Sequence, residues 1–213
     1  MNRLPVLVRQ HIAALRTLIV FTVLCGAIYP LVIFGISQVA FHHQANGSMV
    51  SYNGKVVGSS LLCQEFVDAK GNPLPQYFQP RPSDAVVSGV KTDYGCDPLY
   101  SSASNLGPTN PVEVQLIQQR QKQVAAFDHV AISQIPADAV TASGSGLDPD
   151  ISPAYAYLQV DRVAAARHLP VAEVHTLVAT FVQGRTIGIL GEPRVDVLTL
   201  NIALDQLSAK SSG

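Results

Sequence analysis

The most regular hydrophobic pattern in the chain is an apolar run near its N-terminus. Residues 17–41 contain no Asp, Glu, Lys or Arg and consist mainly of Leu, Ile, Val, Phe and Ala. A hydrocarbon core of about 30 Å is crossed by about 20 helical residues. The pattern therefore predicts one transmembrane helix over 17–41, after a basic N-terminal segment over 1–16 and before one domain over 42–213.

A cleaved signal peptide is the alternative interpretation of this run. The apolar core of a signal peptide is typically about 7–15 residues long and ends in a small-x-small cleavage site. The run here is longer, and cleavage after Ala40 would place Gln38 at the minus-three position. We therefore expect the helix to be retained.

The charges around the run predict its orientation. Arg3, Arg9 and Arg16 precede it without any acidic residue, and no Lys or Arg follows it directly. By the positive-inside rule the N-terminus is cytoplasmic. The C-terminal domain is then extracytoplasmic, and the chain is expected to be a single-pass membrane protein.

Beyond the run, alternating apolar and polar positions predict a hairpin over residues 49–63. Asn53 and Gly54 lie between two β-prone segments and readily supply the two positive φ angles of a type I′ turn. Residues 68–111 are rich in Pro, Gly, Ser, Asp and Asn, with Tyr77, Phe78 and residues 85–87 as short apolar pieces. This composition predicts a long structured loop, which is commonly functional or an interface.

Helical spacing dominates the rest of the chain. Asn110 is predicted to cap a helix that begins at Pro111, with Glu113 reaching back to the cap. Ser152 is predicted to cap a second helix, and a third begins near Pro170 and ends at Gly184. The residues expected on buried helical faces are Val114, Ile117 and Val124; Val171, Val174, Val178, Phe181 and Val182; and Leu198, Ile202 and Leu207.

Short β-like pieces over 186–190 and 194–197 complete an α+β fold class, with one N-terminal transmembrane helix. The domain after residue 41 carries 11 Lys and Arg against 15 Asp and Glu. Because nucleic-acid-binding surfaces are basic, this charge argues against a DNA or RNA partner.

Two of the three cysteines, Cys63 and Cys96, lie in the predicted extracytoplasmic domain, and Cys25 lies in the span. An oxidising compartment permits a disulfide between the first two. The alternative of two reduced thiols stays open, because spacing alone does not establish geometry.

The sequence lacks several common catalytic motifs. The chain has no phosphate-binding Gly-x-x-x-x-Gly-Lys-Ser/Thr loop, no Asp-Lys-Thr-Gly phosphorylation sequence and no Gly-x-Ser-x-Gly nucleophile elbow. Asp148 and Asp150 lack the other ligands of a calcium loop and are interpreted as helix-entry carboxylates. The histidines show no metal spacing, so we expect neither a catalytic site nor a metal site.

An ordered series of short segments resembles the C-subunit family of the bacterial Kdp potassium-transporting P-type ATPase. The series runs over nearly the whole chain and comprises Tyr29-Pro30, Asn46-Gly-Ser48, Gly58-Ser-Ser-Leu61, Tyr77-Phe78 with Arg81-Pro-Ser83, Ser104-Asn-Leu106 with Asn110-Pro111, Thr141-Ala-Ser-Gly-Ser-Gly-Leu-Asp148, Ile151-Ser-Pro153, Arg162-Val-Ala with Ala166-Arg167, Gly191-Glu-Pro-Arg-Val-Asp-Val197 and Leu200-Asn201 with Ala203-Leu-Asp205.

The resemblance implies a complex in the bacterial inner membrane, with a potassium-selective, channel-like subunit and an ATP-hydrolysing P-type subunit. This chain would be its non-catalytic accessory subunit, a catalytic chaperone that supports assembly and raises the ATP affinity of the hydrolysing subunit. ATP and potassium would then belong to the complex, and no cofactor is expected on this chain. A membrane-anchored extracytoplasmic enzyme or a ligand sensor is the alternative.

The family resemblance implies one site, and the residues of the span indicate another. A nucleotide-related loop would comprise Ser102, Ser104, Asn105, Gly107 and Asn110, although Ser102-Ala103 replaces the paired glycines of the ABC-transporter signature to which this loop is likened. In the span, small or helix-breaking residues permit close approach of a neighbouring helix. Gly26, Pro30 and Gly35 are therefore predicted to pack against a partner subunit; the alternative is that Gly and Pro are simply common in membrane spans.

Overall fold

The structure of this chain is a computed structural model that describes residues 5–86 and 95–211. Of Ser211 it describes the backbone alone. Arg3 and Val87, which enter the sequence predictions above, lie outside these residues. The chain divides into two compact units, Met1–Ser48 and Met49–Gly213.

The N-terminal unit is built on one long apolar helix. Helix α1 (Val6–Val23), a π-helical turn (Leu24–Ile28) and helix α2 (Tyr29–Ala40) follow without a break, and a short helix α3 (His42–Ala45) comes next. The continuous 35-residue helix is long and apolar enough to cross a membrane. It begins well before residue 17, so Arg9 and Arg16 lie on the helix itself.

The predicted hairpin opens the C-terminal unit. Strands β1 (Met49–Tyr52) and β2 (Lys55–Ser59) pair antiparallel. Asn53 and Gly54 adopt φ angles of 50° and 75° at the turn. Two positive φ angles are what a type I′ turn requires, so the hairpin prediction is confirmed.

The core lies among short helices and one small two-stranded sheet. Helices α4 (Pro111–Asp128), α5 (Pro153–Leu158), α6 (Val160–Arg167), α7 (Val171–Phe181) and α8 (Val197–Ser211) accompany 3₁₀ turns at Ile132–Gln134 and Ala137–Ala139. Strand β3 (Asp150–Ile151) pairs antiparallel with β4 (Val195–Asp196). The predicted α+β class is confirmed. The fully buried core comprises Phe78, Ala156, Val163, Ala164, Val174, Val178, Val195, Leu200 and Leu204.

The predicted helix caps form, with one exception. Val112 N–H donates to Asn110 Oδ1 (2.9 Å), and Tyr155 N–H donates to Ser152 Oγ (3.0 Å). Glu113, however, does not reach back to the cap, because Asn110 N–H donates to Gly107 O (2.9 Å) instead. Glu113 is buried, and its Oε2 has no hydrogen-bond partner among the described residues.

Several buried faces differ from their predictions. Val114 is exposed because α4 turns Glu113 inward, and Val171 is exposed at the start of α7. On α8 the buried face passes through Leu200, Asn201 and Leu204 rather than through Ile202 and Leu207. Asn201 is polar but buried on that face, so the spacing of hydrophobic residues does not predict the face.

The long loop is ordered by side-chain amides. Phe78 N–H donates to Asn201 Oδ1, and Asn201 Nδ2 donates to Phe78 O, both at 2.9 Å. Gln159, between α5 and α6, pairs in the same way with the N–H and C=O of Gln79 at 2.7 and 3.1 Å. These two amides provide what a neighbouring strand would, so residues 78 and 79 are buried without a sheet.

Arg162 joins the same loop to two helices. Its guanidinium donates to Asp128 Oδ1 (2.7 Å), to the carbonyls of Pro75 (2.6 Å) and Tyr77 (2.9 Å), and to Gln159 Oε1 (2.7 Å). Burial raises the pKa of Asp128 above its usual value, and the charge of Arg162 opposes that rise. A buried arginine is stable in such a site because all three guanidinium nitrogens donate hydrogen bonds.

An open groove of about 710 Å³ separates the beginning of the loop from α4. Its lining includes Glu65, Arg81, Arg120, Phe127 and Tyr155. Burial raises the pKa of the Glu65 carboxyl to about 7, and burial rather than a neighbouring charge is the cause. The groove therefore contains a carboxyl that gains or loses its proton near neutral pH.

We expect Asn201→Ala to lower the free energy of unfolding by about 2–4 kcal/mol, because both backbone groups of Phe78 lose their partner in a buried site. Urea denaturation of the full chain in detergent measures this. Gln206→Ala, an exposed change on the same helix, should cost less than about 0.5 kcal/mol. Equal losses in the two variants would contradict the role assigned to Asn201.

We expect Glu65→Gln to stabilise the chain increasingly as the pH rises from about 4.5 to about 7. The folded-state pKa is about 7, above the usual value of 4.5 for this carboxyl. The folded wild type therefore binds more protons between these values and loses stability as the pH rises through them. The variant should exceed the wild type by about 3 kcal/mol at pH 8 and match it closely at pH 4. Urea denaturation between pH 4 and pH 8 measures this difference, and Glu173→Gln, at an exposed position, is the control. A difference between variant and wild type that did not change with pH would contradict the assignment.

Candidate functional site

The predicted nucleotide-related loop is an irregular segment that ends at α4. Ser101 Oγ and Ser102 N–H both donate to Ser145 O, at 2.9 and 3.0 Å. Farther along, Leu106 N–H donates to Ser104 Oγ (3.4 Å) and Asn105 Nδ2 donates to Ala103 O (3.1 Å). These four hydrogen bonds stabilise the conformation of the loop.

Gly146 is the point where three polar segments meet. Its φ is +70°, and a Cβ at this position would lie 2.5 Å from Ser102 O and 2.7 Å from Ala85 Cβ. Only glycine fits such a conformation and such a close approach. Ser83 Oγ donates to Gly146 O (2.6 Å) and accepts from Cys96 N–H (2.9 Å). We call these segments, residues 81–86, 95–107 and 141–148, the loop cluster.

A disulfide secures the loop cluster. The structure joins Cys63 to Cys96 with their Cα atoms 5.4 Å apart, while Cys25 is free. Cys63 N–H donates to Leu147 O (3.0 Å), so one half of the bridge lies directly against the third segment. The bridge thereby restrains the chain on both sides of residues 78 and 79.

Asp148 in the loop cluster and Asp150 just after it are each paired with an arginine. Arg81 Nη1 lies 2.7 Å from Asp148 Oδ2. Arg194 Nε lies 3.0 Å from Asp150 Oδ2. Burial raises the pKa of Asp150 to about 6, and Arg194 opposes that rise. Within residues 5–86 and 95–211, no group of three His, Cys, Asp or Glu is placed to hold a metal ion.

The geometry of the loop offers little to a phosphate. At the N-terminus of α4, Pro111 has no N–H, and Asn110 Oδ1 already accepts from Val112 N–H. Residues 101–110 contain no Lys or Arg. A helix N-terminus binds anions through free N–H groups. At α4 the side chain of Asn110 already accepts the N–H of Val112.

The predicted packing residues of the span are only partly brought together. Pro30 has no N–H, and a proline ring clashes with the carbonyl four residues earlier, here that of Gly26. Next to Pro30 the helix widens, and Tyr29 N–H donates to Leu24 O, five residues back. Gly26 and Pro30 thus belong to one irregularity, whereas Gly35 lies about 140° round the helix from Pro30 at about 100° per residue.

Open space surrounds the two glycines of the span. A Cβ at Gly26 or Gly35 would meet no atom within 4 Å. Neither glycine is required by packing within this chain, so either is free to approach a neighbouring helix.

Two features of the C-terminal unit were not predicted. Arg81 and Ser83 lie in the loop cluster, where the Gly-Ser pattern around Gly146 was the available signal. The turn at residues 183–194 carries apolar side chains that are exposed. Its sequence was interpreted only as short β-like pieces.

Comparison with known proteins places this architecture in a family. A profile described as KdpC, the K⁺-transporting ATPase c chain, matches residues 11–206. The chain is 48% identical over 197 residues to the potassium-transporting ATPase KdpC subunit of Beijerinckia indica, covering 92% of this chain and 93% of that one. It is 50% identical over 206 residues to the KdpC subunit of Gemmatimonas aurantiaca, covering 95% and 96%.

Identity at this level over nearly the full length of both proteins leaves no large part of the chain unmatched. The matched region covers most of the apolar helix, the loop cluster and the core helices. The chain therefore belongs to the KdpC family, the c chain of the K⁺-transporting ATPases.

Proposed function

We propose that this chain is a non-catalytic, single-pass accessory subunit of an ATP-driven potassium uptake complex. Its partners would be a potassium-selective subunit and an ATP-hydrolysing subunit. The observation that carries this proposal is one apolar helix joined to a domain in which Ser83 and Ser101 hydrogen-bond to other loops of the same chain. A single helix does not enclose an ion path, so the path would belong to another chain.

The C-terminal unit would lie on the extracytoplasmic side of the membrane. Arg9 and Arg16 at the start of the helix favour a cytoplasmic N-terminus. The disulfide between Cys63 and Cys96 supports the same orientation, because disulfides persist in oxidising compartments and are rare in the cytosol. We propose that the unit sits over the potassium-selective subunit and shapes its ion entrance.

An increase in ATP affinity would then be an indirect effect. ATP is cytoplasmic, and in the loop of Ser102, Ser104, Asn105, Gly107 and Asn110 most polar groups bond within the chain. A subunit that does not touch ATP changes the ATP affinity of its partner only by binding two partner states unequally. The span and the extracytoplasmic contacts would supply that difference.

Truncation after Ser48 should separate anchoring from function. We expect residues 1–48 to insert in the membrane, but the complex purified with them should need at least tenfold more potassium for half-maximal ATPase activity. Potassium titration of the purified complex measures this. Normal assembly together with normal potassium affinity would contradict the proposed role of the domain.

A matched control for the truncation is the full chain carrying Ser104→Ala and Asn105→Ala. Because the hydrogen bonds that these side chains make with described residues lie within the loop, the ATP concentration for half-maximal activity should change by less than twofold. A tenfold increase without loss of potassium affinity would instead indicate direct nucleotide contact.

Protease added to sealed spheroplasts should degrade the C-terminal unit and spare the apolar helix. Immunoblotting with antibodies to each unit follows the two fragments, and a cytoplasmic protein reports whether the spheroplasts are intact. Complete protection of the C-terminal unit in spheroplasts, with degradation after lysis, would reverse the orientation.

A further inference from the structure

The turn at residues 183–194 presents three large apolar side chains to solvent. Ile187, Ile189 and Leu190 are 81%, 73% and 57% exposed. They are nearly consecutive, so they form one apolar tip rather than scattered surface residues. Contiguous exposed apolar patches on soluble surfaces mark sites of interaction.

The tip is held in a defined shape. At its base Gln183 and Arg194 exchange both backbone hydrogen bonds, at 2.8 and 3.0 Å. Nearer the tip Thr186 and Leu190 do the same, at 2.8 and 3.0 Å. These two rungs make the turn a preformed projection, and preformed shapes lose less entropy on binding.

Ile187 adopts a conformation that is unfavourable for its type. Its φ is +48°, in the left-handed region that β-branched residues rarely occupy. Most of the side chain is exposed, so little packing within the chain compensates for this strain. Strained backbone that the surrounding structure maintains is a feature of binding and functional sites.

The charges beside the tip are neutralised within the chain. Arg185 Nη2 lies 2.7 Å from Glu192 Oε2, and Arg194 Nε lies 3.0 Å from Asp150 Oδ2. The segment contains no Trp or Tyr. Membrane-binding surfaces combine apolar groups with free Lys or Arg and interfacial aromatics, so this pattern favours a protein recess over a lipid surface.

The size of the tip limits what it can hold. A stable complex in solution buries about 800 Å² on each partner, and three side chains present only a fraction of that area. The tip is therefore too small to hold a second copy of this chain. It suits a supplementary contact within an assembly whose members the membrane already keeps at high effective concentration.

We infer that Ile187, Ile189 and Leu190 insert into an apolar recess on another subunit of the same ATPase complex. The recess would be lined by aliphatic or aromatic side chains and closed by uncharged groups, since the tip brings no free charge. This inference rests on the proposed function, because it requires that the chain assembles with larger subunits.

Photo-crosslinking in the intact complex tests the contact. Benzoyl-phenylalanine replaces Ile189 in one variant and Val56, another exposed apolar residue of the same unit (60%), in a second. We expect an adduct from position 189 to one larger subunit, identified by mass spectrometry, at least fivefold above that from position 56. Equal yields, no adduct, an adduct to a second copy of the chain or an adduct to lipid would each overturn the inference.

Ile187→Gly separates a docking role from a structural one. Glycine adopts a positive φ freely, so the variant chain should unfold at the same temperature as the wild type or at a higher one. The amount of larger subunits that co-purify with it should nevertheless fall at least fivefold. Unchanged co-purification would overturn the docking role, as would a lower unfolding temperature that accounts for the loss.

The wild-type sample distinguishes the two proposals. If the wild-type chain does not co-purify with larger subunits, the proposed function fails. If it does and the position 189 and Ile187→Gly variants behave like their controls, only the inference about the tip fails.

Discussion

The C-terminal unit depends on how buried backbone without a strand partner is satisfied. Residues 78 and 79 pass through the core, where an unpaired N–H or C=O is costly. Asn201 and Gln159 each pair with both polar groups of one residue. Arg162 adds the carbonyls of Pro75 and Tyr77, and links them to Asp128 on α4. Three side chains thus replace a sheet and orient α4, α6 and α8 about one loop.

The sequence predicted local structure well and long-range polar contacts poorly. The hairpin at Asn53 and Gly54 and the caps at Asn110 and Ser152 involve neighbours in the chain, so residue type alone indicates them. Asn201 and Gln159 act on residues about 120 and 80 positions away, and no periodicity marks them. On α8 Leu198 is buried as predicted, but Ile202 and Leu207 are only partly buried, because hydrophobic spacing does not allow for a buried amide.

The loop cluster shows why a family likeness does not by itself establish a binding site. Its serines are rich in donors and acceptors, but Ser83, Ser101 and Ser102 bond to Gly146 and Ser145. Nothing in the sequence of the Ser-rich segment shows that its partner is another Gly-Ser segment about 40 residues away. The sequence also did not decide whether Cys63 and Cys96 form a disulfide, because their approach depends on the conformation of the whole loop.

The π-helical turn in the apolar helix has a geometric consequence for the whole span. A π turn is equivalent to one extra residue in an α-helix, and at 3.6 residues per turn one residue is worth about 100° of rotation. Positions that would form one stripe along a regular helix are therefore out of phase on the two sides of Leu24–Ile28. The residues that face one direction in the first half of the helix therefore differ in phase from those in the second half. In a bilayer, the two halves would contact different neighbours in the two leaflets.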